Sequence, residues 1–548
     1  MTQDSGTRAP SPRPHQPART PSPAAPRSGS VRGTLAAASL AVMVAQVANA
    51  LPGALNGVFQ QSFNTVGSQL TWITAAFMIP VVVFELTFGV LGDRFGHRRL
   101  VVGGSVLVVL GSLVCAFSPS VQAMWVGSAL NGLGAGAIFP ASLALVASVA
   151  RNMQERVRGI AIWAGCLSAG SALSPLLGGT FAGFGWWQGA YVIVAVVSVL
   201  ALLITLGRSQ EATAPEARPL DIWGQTTLAL GLILVLFGLV QGPEDGWTAA
   251  HVVGALAAGA VLLAAFVAIE LRVDQPLLEL RLFLNRQFAI SSIVAVVGMF
   301  AFLGACFSTS MWLGPVQQQN AVYLGLLFLL LQGPAFVLIP VLARLQARVP
   351  ARWLLTGGFV AMGSGALIAS TFDVADRDIV RFVLPTLLIG LGFAFTLSPM
   401  TAIAVTSVPR QMMGMASATT NLLRDLGFAL GPVLVGAIAL SSAGRRLVPA
   451  LQSSGLPESE LGPALGIAES GGPIALNSIP EGVPGAAAHD FAMQALGSGF
   501  SQAYLVVAVC AFAAALLTLV GLHGVRTAGQ MADPEAEPEA EPEIATVR

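Results

Sequence analysis

Long apolar runs, each close to the length that crosses a lipid bilayer, recur along the whole of this chain. A transmembrane helix needs about 20 apolar residues, and fourteen runs of that kind are present among the 548 residues. Only 10% of the residues are charged, whereas about a quarter are charged in a soluble domain. We therefore expect an all-α integral membrane protein with fourteen transmembrane helices. The runs begin near residues 33, 70, 99, 122, 158, 187, 224, 250, 287, 322, 352, 380, 413 and 498.

All 27 basic residues are arginines, and their distribution predicts which loops face the cytoplasm. With the N-terminus inside, the cytoplasmic loops would hold fifteen arginines and the outer loops four. Basic residues concentrate on the cytoplasmic side of membrane proteins. Most arginine codons are rich in G and C and lysine codons are not, so the absence of lysine indicates a bacterium with a GC-rich genome. We expect a multi-pass protein of the cytoplasmic membrane with both termini in the cytoplasm.

Two stretches in the first half of the chain recur in the second half. Gly132-Leu-Gly-Ala-Gly-Ala-Ile-Phe-Pro140 is matched by Gly390-Leu-Gly-Phe-Ala-Phe-Thr-Leu-Ser-Pro399, and Ala172-Leu-Ser-Pro175 by Ala429-Leu-Gly-Pro432. Two similar helical bundles that meet around a site at the middle of the membrane are a common design of secondary transporters. Twelve of the fourteen runs would form two such bundles, and the two remaining runs fall between them.

The repeat predicts how the chain is divided. The predicted segments are a disordered cytoplasmic tail (1–32), an N-terminal six-helix bundle (33–207), a linker with two extra transmembrane helices (208–285), a C-terminal six-helix bundle (286–525) with an extracytoplasmic loop (443–497), and an acidic cytoplasmic tail (526–548).

The loop between the second and third runs is charged, unlike its surroundings. It reads Gly89-Val-Leu-Gly-Asp-Arg-Phe-Gly-His-Arg-Arg99 and resembles the signature loop of the major facilitator superfamily of transporters. The layout of runs over roughly residues 33–442 is similar to the fourteen-span drug:proton antiporter branch of that superfamily. The resemblance implies a major facilitator fold, with two pseudo-symmetric six-helix bundles plus two extra central helices. It also implies export of hydrophobic drugs or natural products by alternating access, in exchange for protons.

The residue types in this charged loop have separate expected roles. Small residues allow membrane helices to pack closely, arginines hold a loop on the cytoplasmic side, and an aspartate can cap a helix or pair with an arginine. An ordinary basic loop with a chance Asp-Arg pair is the alternative. We expect conformational roles for Gly89, Gly92, Gly96 and Arg98, and gating roles for Asp93 and Arg94.

The fifth run contains a proline among glycines. A proline in mid-helix removes a backbone hydrogen bond and bends the helix, while glycines permit close contact with another helix. In the family this motif is associated with exporters, although here Ser174 stands where a glycine usually precedes the proline. A generic kinked membrane helix is the alternative. The residues expected to shape this helix are Gly170, Pro175, Gly178 and Gly179, with Pro432 as the counterpart in the second half.

Three charged residues fall inside predicted spans: Glu85, Arg424 and Asp425. An ionised side chain at mid-bilayer costs at least ~2.5 kcal/mol, so each is a candidate for a functional role. We predict a Glu85–Arg424 ion pair across the interface between the bundles, formed in the outward-facing state and weakened when Glu85 takes up a proton. A static salt bridge is the alternative. Asp425 is a second candidate, although it points about 100° away from Arg424 on a helix.

Two positions depart from the family pattern. The resemblance implies an arginine in the fourth run, where this chain has Ser128, and an aspartate in the first run, where it reads Gln46-Val-Ala-Asn49. In the family both charged residues are associated with proton coupling. An uncoupled facilitator or importer of a small amphipathic solute, with the same fold, is therefore the alternative function.

Polar side chains on the spans are candidates for contact with substrate, although such residues often only bond to a neighbouring backbone. Few charges are available to line a cavity, which favours a small hydrophobic or amphipathic substrate. The candidates are Gln46, Asn49, Asn131, Ser308, Thr309, Gln332 and Asn421.

Other classes of function have little support in the residues. The balance of 27 basic and 27 acidic residues gives no basic surface for nucleic acid. We find no metal-ligand spacing, no nucleophile–base arrangement and no ATP-binding loop, so neither a metal, nor a cofactor, nor an enzymatic reaction is expected. The expected partners are the lipid bilayer, the substrate and protons. A non-transporting receptor remains an alternative, and the oligomeric state is left open.

Overall fold

The computed structural model describes residues 30–66, 68–150, 153–212, 221–273, 276–408, 412–480 and 482–523. Within these ranges the chain forms helices and no β-strand. Almost all of the two predicted tails, 1–32 and 526–548, lies outside the described residues.

Seven helices form the first bundle, two follow it, and eight complete the chain. The first bundle contains α1 (Val31–Ala50), α2 (Pro52–Phe63), α3 (Gln69–Phe95), α4 (His97–Ala116), α5 (Val121–Ser148), α6 (Met153–Gly183) and α7 (Gln188–Arg208). The next two are α8 (Ile222–Asp245) and α9 (Ala250–Glu270). The remainder are α10 (Arg286–Met311), α11 (Ala321–Val337), α12 (Ile339–Arg348), α13 (Ala351–Ser370), α14 (Val383–Thr406), α15 (Met413–Gln452), α16 (Glu458–Asn477) and α17 (His489–Gly521).

The number of membrane-crossing helices agrees with the prediction from hydropathy. Thirteen described helices are long and apolar enough to cross a bilayer, and the pair α11 and α12, bent by 42°, makes a fourteenth. Pro334 lies inside α11 and Pro340 begins α12, and prolines break a helix because they lack a backbone donor. The first run is interrupted in a similar way, since α2 begins at Pro52.

The two bundles repeat one packing scheme, as predicted. In the first bundle α1 packs against α5, α6 and α7, and in the second α10 packs against α14, α15 and α17. Close contacts between matching glycines also repeat: a Cβ on Gly104 would lie 2.7 Å from the Gly134 carbonyl oxygen, and one on Gly358 would lie 2.9 Å from that of Gly392. Small residues allow both helix pairs to approach this closely.

The segment 443–497, predicted as a loop, contains helical structure. α15 continues to Gln452, α16 occupies Glu458–Asn477, and α17 begins at His489 rather than near residue 498. Asn477 Nδ2 donates to the carbonyl oxygens of Pro315 (3.1 Å) and Val316 (3.2 Å), which ties α16 to the end of α10. We call this side of the molecule the α16 end, and the side that carries the α3–α4 loop the arginine-rich end.

The bundles meet along two interfaces. One joins α6 to α11, and the other joins α3 to α15. The extra helix α8 packs against both α3 and α15, so it covers the second interface, while α9 packs on α8. Gln225 Nε2 of α8 donates to the Val83 carbonyl oxygen of α3 at 2.6 Å.

The bundles are in close contact at the α16 end. A Cβ on Gly57 of α2 would lie 2.8 Å from Gly314 Cα, so the backbones of the two bundles touch there. At the other end, no atom of the described residues lies within 4 Å of a Cβ on Gly89, although α3 contacts α15 farther up, where a Cβ on Gly436 would lie 3.0 Å from Thr71 Oγ1. The α3–α15 contact at Gly436 therefore has no counterpart at Gly89.

Candidate functional site

An open cavity lies between the bundles, with about 680 Å³ of empty space that includes solvent at its mouth. Both halves of the chain contribute to its walls, as expected for a midplane site of this architecture. Its lining consists of Gln46, Asn49, Ala50, Pro52, Gly53, Asn56, Thr74, Met78, Ser171, Phe302, Leu303, Cys306, Phe307, Ser310, Phe328, Gln332, Phe393, Phe428 and Pro432.

Three of the seven polar residues predicted to contact substrate, Gln46, Asn49 and Gln332, line this cavity. Gln46 Nε2 also donates to Ser171 Oγ at 2.7 Å, which links α1 to α6 beside the cavity. A glutamine in this position supplies hydrogen bonds without charge. As substrate contacts these three residues stay predictions.

The other four predicted residues are not part of the lining, and three of them bond within their own bundles. Ser112 Oγ donates to Asn131 Oδ1 at 3.1 Å, and Thr309 Oγ1 bonds both the Ala305 carbonyl oxygen and the Tyr504 hydroxyl. Asn421 Oδ1 accepts from Arg424 Nη1 at 3.3 Å. Ser308 is fully buried, and its hydroxyl has no partner among the described residues. Polar groups inside membrane helices commonly find such local partners.

Sequence reasoning missed the aromatic part of the lining. Phe302, Phe307, Phe328, Phe393 and Phe428 all face the cavity. The sequence contains one signal for them, because Phe302, Cys306 and Ser310 recur every four residues and so share one face of α10. That signal is weak, since phenylalanine is equally at home against lipid.

Two buried carboxyl groups lie at the α3–α15 interface. Glu85 and Asp425 each retain only 8% of their exposure. Asp425 and Arg424 are the charged neighbours of Glu85 across this interface. Glu85 Oε2 has no hydrogen-bond partner among the described residues. We call Glu85, Arg424 and Asp425 the carboxyl cluster.

The predicted Glu85–Arg424 ion pair is not formed in this conformation, where the described ion pairs do not include it. Arg424 instead donates to Asn421, one turn earlier on α15. The ion pair was predicted for the state with the opposite end open, so it stays a prediction. Asp425, the second candidate, is the residue that meets Glu85, because its position one residue later turns it about 100° around α15.

The charged α3–α4 loop is fastened to the end of α7. Arg98 Nη2 donates to the Leu206 carbonyl oxygen at 2.6 Å, and Arg98 Nε donates to that of Thr205 at 3.1 Å. Carbonyl groups at a helix C-terminus lack partners within the helix and attract cations. Arg94 is exposed and lies over the Phe95 ring at 5.4 Å.

Asp93, near the end of α3, is contacted by the first residue of α4. His97 Nε2 lies 3.1 Å from Asp93 Oδ1, one turn away. The His97 ring fills the space beside Gly92, where a Cβ would collide with it, and Gly96 makes the turn with a φ of +106°. A side chain at either glycine would therefore disturb the contact between Asp93 and His97.

The proline–glycine segment of α6 makes the other interface between the bundles. A Cβ on Gly179 would lie 2.6 Å from the Ala321 carbonyl oxygen, and one on Gly325 would lie 2.6 Å from that of Pro175. We call Pro175, Gly179, Ala321 and Gly325 the glycine seam. This seam joins α6 to α11 through backbone contact at the α16 end.

Three other residues of α6, Gly170, Ser174 and Gly178, pack within the first bundle. Gly170 faces the backbone of Met43, and Gly178 faces the side chains of Leu51 and Leu55. Ser174, which replaces the family's usual glycine, donates its hydroxyl to the Val47 carbonyl oxygen at 2.7 Å. The substitution therefore adds a hydrogen bond that fixes α6 to α1.

Comparison with known proteins agrees with this architecture. The profile of the Major Facilitator Superfamily matches residues 38–432, which is more than half of the chain. This chain belongs to the Major Facilitator Superfamily and is a membrane transporter rather than an enzyme.

Curated relatives include proteins named for drug resistance and export. The multidrug efflux pump LfrA of Mycolicibacterium smegmatis is 29% identical over 89% of this chain and 96% of its own length. The multidrug resistance protein Stp of Mycobacterium tuberculosis is 28% identical over 72% of this chain and 73% of its own. The tetracenomycin C resistance and export protein of Streptomyces glaucescens is 27% identical over 75% of this chain and 76% of its own length.

Among solved structures, a bacterial homologue of the human lysosomal transporter Spinster, in an inward-facing conformation, superposes with a TM-score of 0.61. The match covers 90% of this chain and 98% of the other at 14% identity, so it speaks for the fold alone.

Proposed function

We propose that this chain is a secondary active efflux transporter that exports hydrophobic drugs or natural products across a bacterial cytoplasmic membrane in exchange for protons. The relatives named for drug efflux and the uncharged, largely apolar cavity support the export of such compounds. The arginine-rich end faces the cytoplasm in this proposal, as the positive-inside rule favours. The conformation described above is then the inward-facing one.

The observation that carries proton coupling is the carboxyl cluster at the interface between the bundles. Two ionised carboxylates in contact repel one another, so such a pair is stable when it shares a proton. With one proton, Glu85, Arg424 and Asp425 together have no net charge, which suits their apolar surroundings. Loss of that proton leaves one negative charge in excess at the α3–α15 interface.

The cluster provides a route from protonation to conformation. Release of the proton to the cytoplasm frees the Glu85 carboxylate to pair with Arg424, which would draw α3 and α15 together and close the cytoplasmic end. Gly89, where a Cβ would contact no described residue here, would then lie against the start of α15 together with Asp93. Protonation of Glu85 from outside would weaken the pair and return the transporter to the inward-facing state. One proton entering then accompanies each outward movement of substrate.

The test uses inside-out membrane vesicles with an established pH gradient and a fluorescent pH probe. We expect addition of a transported lipophilic antibiotic or dye to dissipate the gradient only in vesicles that contain the transporter. In Glu85→Gln the antiport signal should disappear while downhill movement of the compound persists, because a neutral amide cannot carry a proton. Asp425→Asn should weaken coupling at least tenfold.

A matched control is available in Glu270→Gln. Glu270 is also buried, but it lies on α9 and bonds the Leu278 backbone N–H at 3.0 Å, away from the interface between the bundles. This variant should couple normally. Full antiport by Glu85→Gln at every pH would refute the proton role, and accumulation of compounds without any proton movement in the wild type would favour the uncoupled facilitator instead.

A further inference from the structure

The cavity has two chemically different walls. The first bundle contributes the amides and hydroxyls of Gln46, Asn49, Asn56, Thr74 and Ser171. The second bundle contributes five phenylalanines, with Ser310 and Gln332 as its polar members. A compound that fills the space therefore meets hydrogen-bonding groups on one side and aromatic rings on the other.

The aromatic wall contains a stacked pair of rings. The rings of Phe302 and Phe393 are stacked, with centroids 3.7 Å apart and an angle of 11° between their planes. Phe428 stands beside Phe393 at 6.4 Å and a tilt of 56°. Aromatic rings prefer offset stacking or edge contacts with other rings, so a planar aromatic ligand can stack on this pair or meet its edge.

The polar wall offers an unused hydrogen-bond acceptor. Asn56 is 1% exposed, and its Nδ2 donates to Ser310 Oγ at 2.9 Å. Its Oδ1 has no partner among the described residues. A buried acceptor without a partner costs free energy, and a hydroxyl or amino group of a ligand in this cavity would remove that cost.

The lining contains no charged side chain among the described residues. The acidic residues of the carboxyl cluster, Glu85 and Asp425, are not part of it. A cation that enters loses its hydration without gaining a counter-ion, and contact with aromatic faces replaces only part of that loss. An uncharged ligand does not incur this cost.

We infer that the cavity selects uncharged, planar aromatic compounds that carry a hydrogen-bond donor, and that it discriminates against lipophilic cations. The inference rests on the proposed function, since it takes the cavity as the place where the exported compound binds. It narrows the substrate from hydrophobic compounds in general to one shape and one charge state.

The test is equilibrium binding of three flat probes to the purified full-length chain at pH 7. The probes are 2-aminoanthraquinone, which is neutral and carries a donor, anthraquinone, which lacks the donor, and ethidium, which is a cation. We expect 2-aminoanthraquinone to bind about fivefold more tightly than anthraquinone, the size of one hydrogen bond. Ethidium should bind at least about tenfold more weakly than 2-aminoanthraquinone.

Variants separate the two walls. Phe393→Ala should lower the binding affinity for both quinones about tenfold. If the alanine variant does not fold, Phe393→Leu takes its place. Phe184→Ala, at a 79% exposed site between α6 and α7, is the matched control and should bind as the wild type does. Asn56→Asp should raise the affinity for ethidium and reverse the preference for 2-aminoanthraquinone over ethidium. The substitution places a carboxylate in the cavity without changing the size of the side chain.

The inference fails if ethidium binds the wild type as tightly as 2-aminoanthraquinone, or if Phe393→Ala and Phe184→Ala behave alike. Transport in vesicles is measured separately. Export of other compounds without binding of the quinones would overturn the inference and leave the proposed function standing. Quinone binding with no transport of any compound would overturn the proposed function and leave the inference about the cavity standing.

Discussion

The two interfaces between the bundles are related by the internal repeat but differ in chemistry. The glycine seam joins the second membrane span of the C-terminal bundle, which begins with α11, to the fifth span of the N-terminal bundle, α6. The α3–α15 interface joins the same two kinds of helix with the bundles exchanged. The first is made by backbone contact at glycines, and the second contains the carboxyl cluster.

The difference is already visible at equivalent positions. Asp425 lies seven residues before Pro432, and the residue seven before Pro175 is Ser168, so the repeat has a hydroxyl where the other half has an acid. Backbone contact does not respond to pH, whereas a pair of carboxyl groups does. One interface is therefore suited to closing the α16 end by shape, and the other to sensing protons.

The extra helices add to this contrast. α8 packs against α3 and α15, over the interface that holds the carboxyl cluster, and Gln225 bonds the α3 backbone two residues from Glu85. Exposed to lipid, a charged cluster would be costly. We suggest that α8 shields the cluster from the bilayer, which would give the two helices between the bundles a physical purpose.

The largest expected effect on transport comes from Gly179→Val, which disrupts the glycine seam. The added side chain would press on the Ala321 carbonyl, and overpacking against backbone costs ~2–3 kcal/mol. The closed arrangement at the α16 end would then fall by about 30- to 150-fold in population, and substrate transport in vesicles should fall accordingly at every pH. Gly254→Val on α9, where a Cβ meets open space, is the control. A normal rate for Gly179→Val would show that the seam does not need this contact.

The next effect concerns pH. The rate of downhill transport by the wild type should change with the pH on the cytoplasmic side, to which the carboxyl cluster releases its proton in the proposed cycle. In the double variant Glu85→Gln and Asp425→Asn, the rate should not depend on pH. Gly179→Val should keep whatever pH dependence remains measurable, because its defect is steric. The measurement is the initial rate of transport across a pH series at zero membrane potential. An unchanged slope in the double variant would remove the distinction between the interfaces.

A smaller effect on coupled transport is expected when α8 loses its hydrogen bond to α3. Gln225→Leu removes the hydrogen bond to Val83 and should cost about 1 kcal/mol, which we expect to reduce coupled transport about fivefold. Thr226→Leu is a neighbour whose hydroxyl bonds only its own helix, and it should leave coupling intact. Equal losses in both variants would argue that α8 acts through its general stability and not as a cover for the carboxyl cluster.

The smallest effect concerns the hydrogen bond that Ser174 adds beside the glycine seam. Ser174→Ala should lower the free energy of unfolding by about 1 kcal/mol, seen as a reduced melting temperature of the purified protein, with transport near the wild-type rate. Ser171→Ala, which removes the partner of Gln46 at the cavity, should affect substrate affinity instead. A large transport defect in Ser174→Ala would mean that the bond takes part in the movement of α6.

Much of this architecture follows from composition and spacing. The number of spans, the two-bundle repeat and the charged residues within spans can all be read from the chain, because each depends on residue type and sequence distance. The helical segment 458–477 was not foreseen, since a stretch rich in alanine, glycine and proline has no strong periodic pattern. The phenylalanine wall was missed because phenylalanine is equally suited to contact with lipid, so its side chains do not mark a cavity.

The residues that face one another could not be derived in this way. Asp425 meets Glu85 while Arg424 turns toward Asn421, and a single residue step of about 100° separates these outcomes. Asn131 and Thr309 turn into their own bundle, and Gln46 and Asn49 turn to the cavity. In a soluble helix the polar face marks the outside, but a membrane helix is apolar on every side, so its pattern gives no direction.

Hydropathy and residue type therefore determined which segments enter the bilayer and which rare residues must be explained there, because transfer into lipid is a sum over the residues of each segment. The tertiary structure alone decided which faces meet, which end is closed and which side chains share the cavity. The reason is that lipid and protein interior are similarly apolar, so helix orientation depends on close packing and on a few interhelical hydrogen bonds.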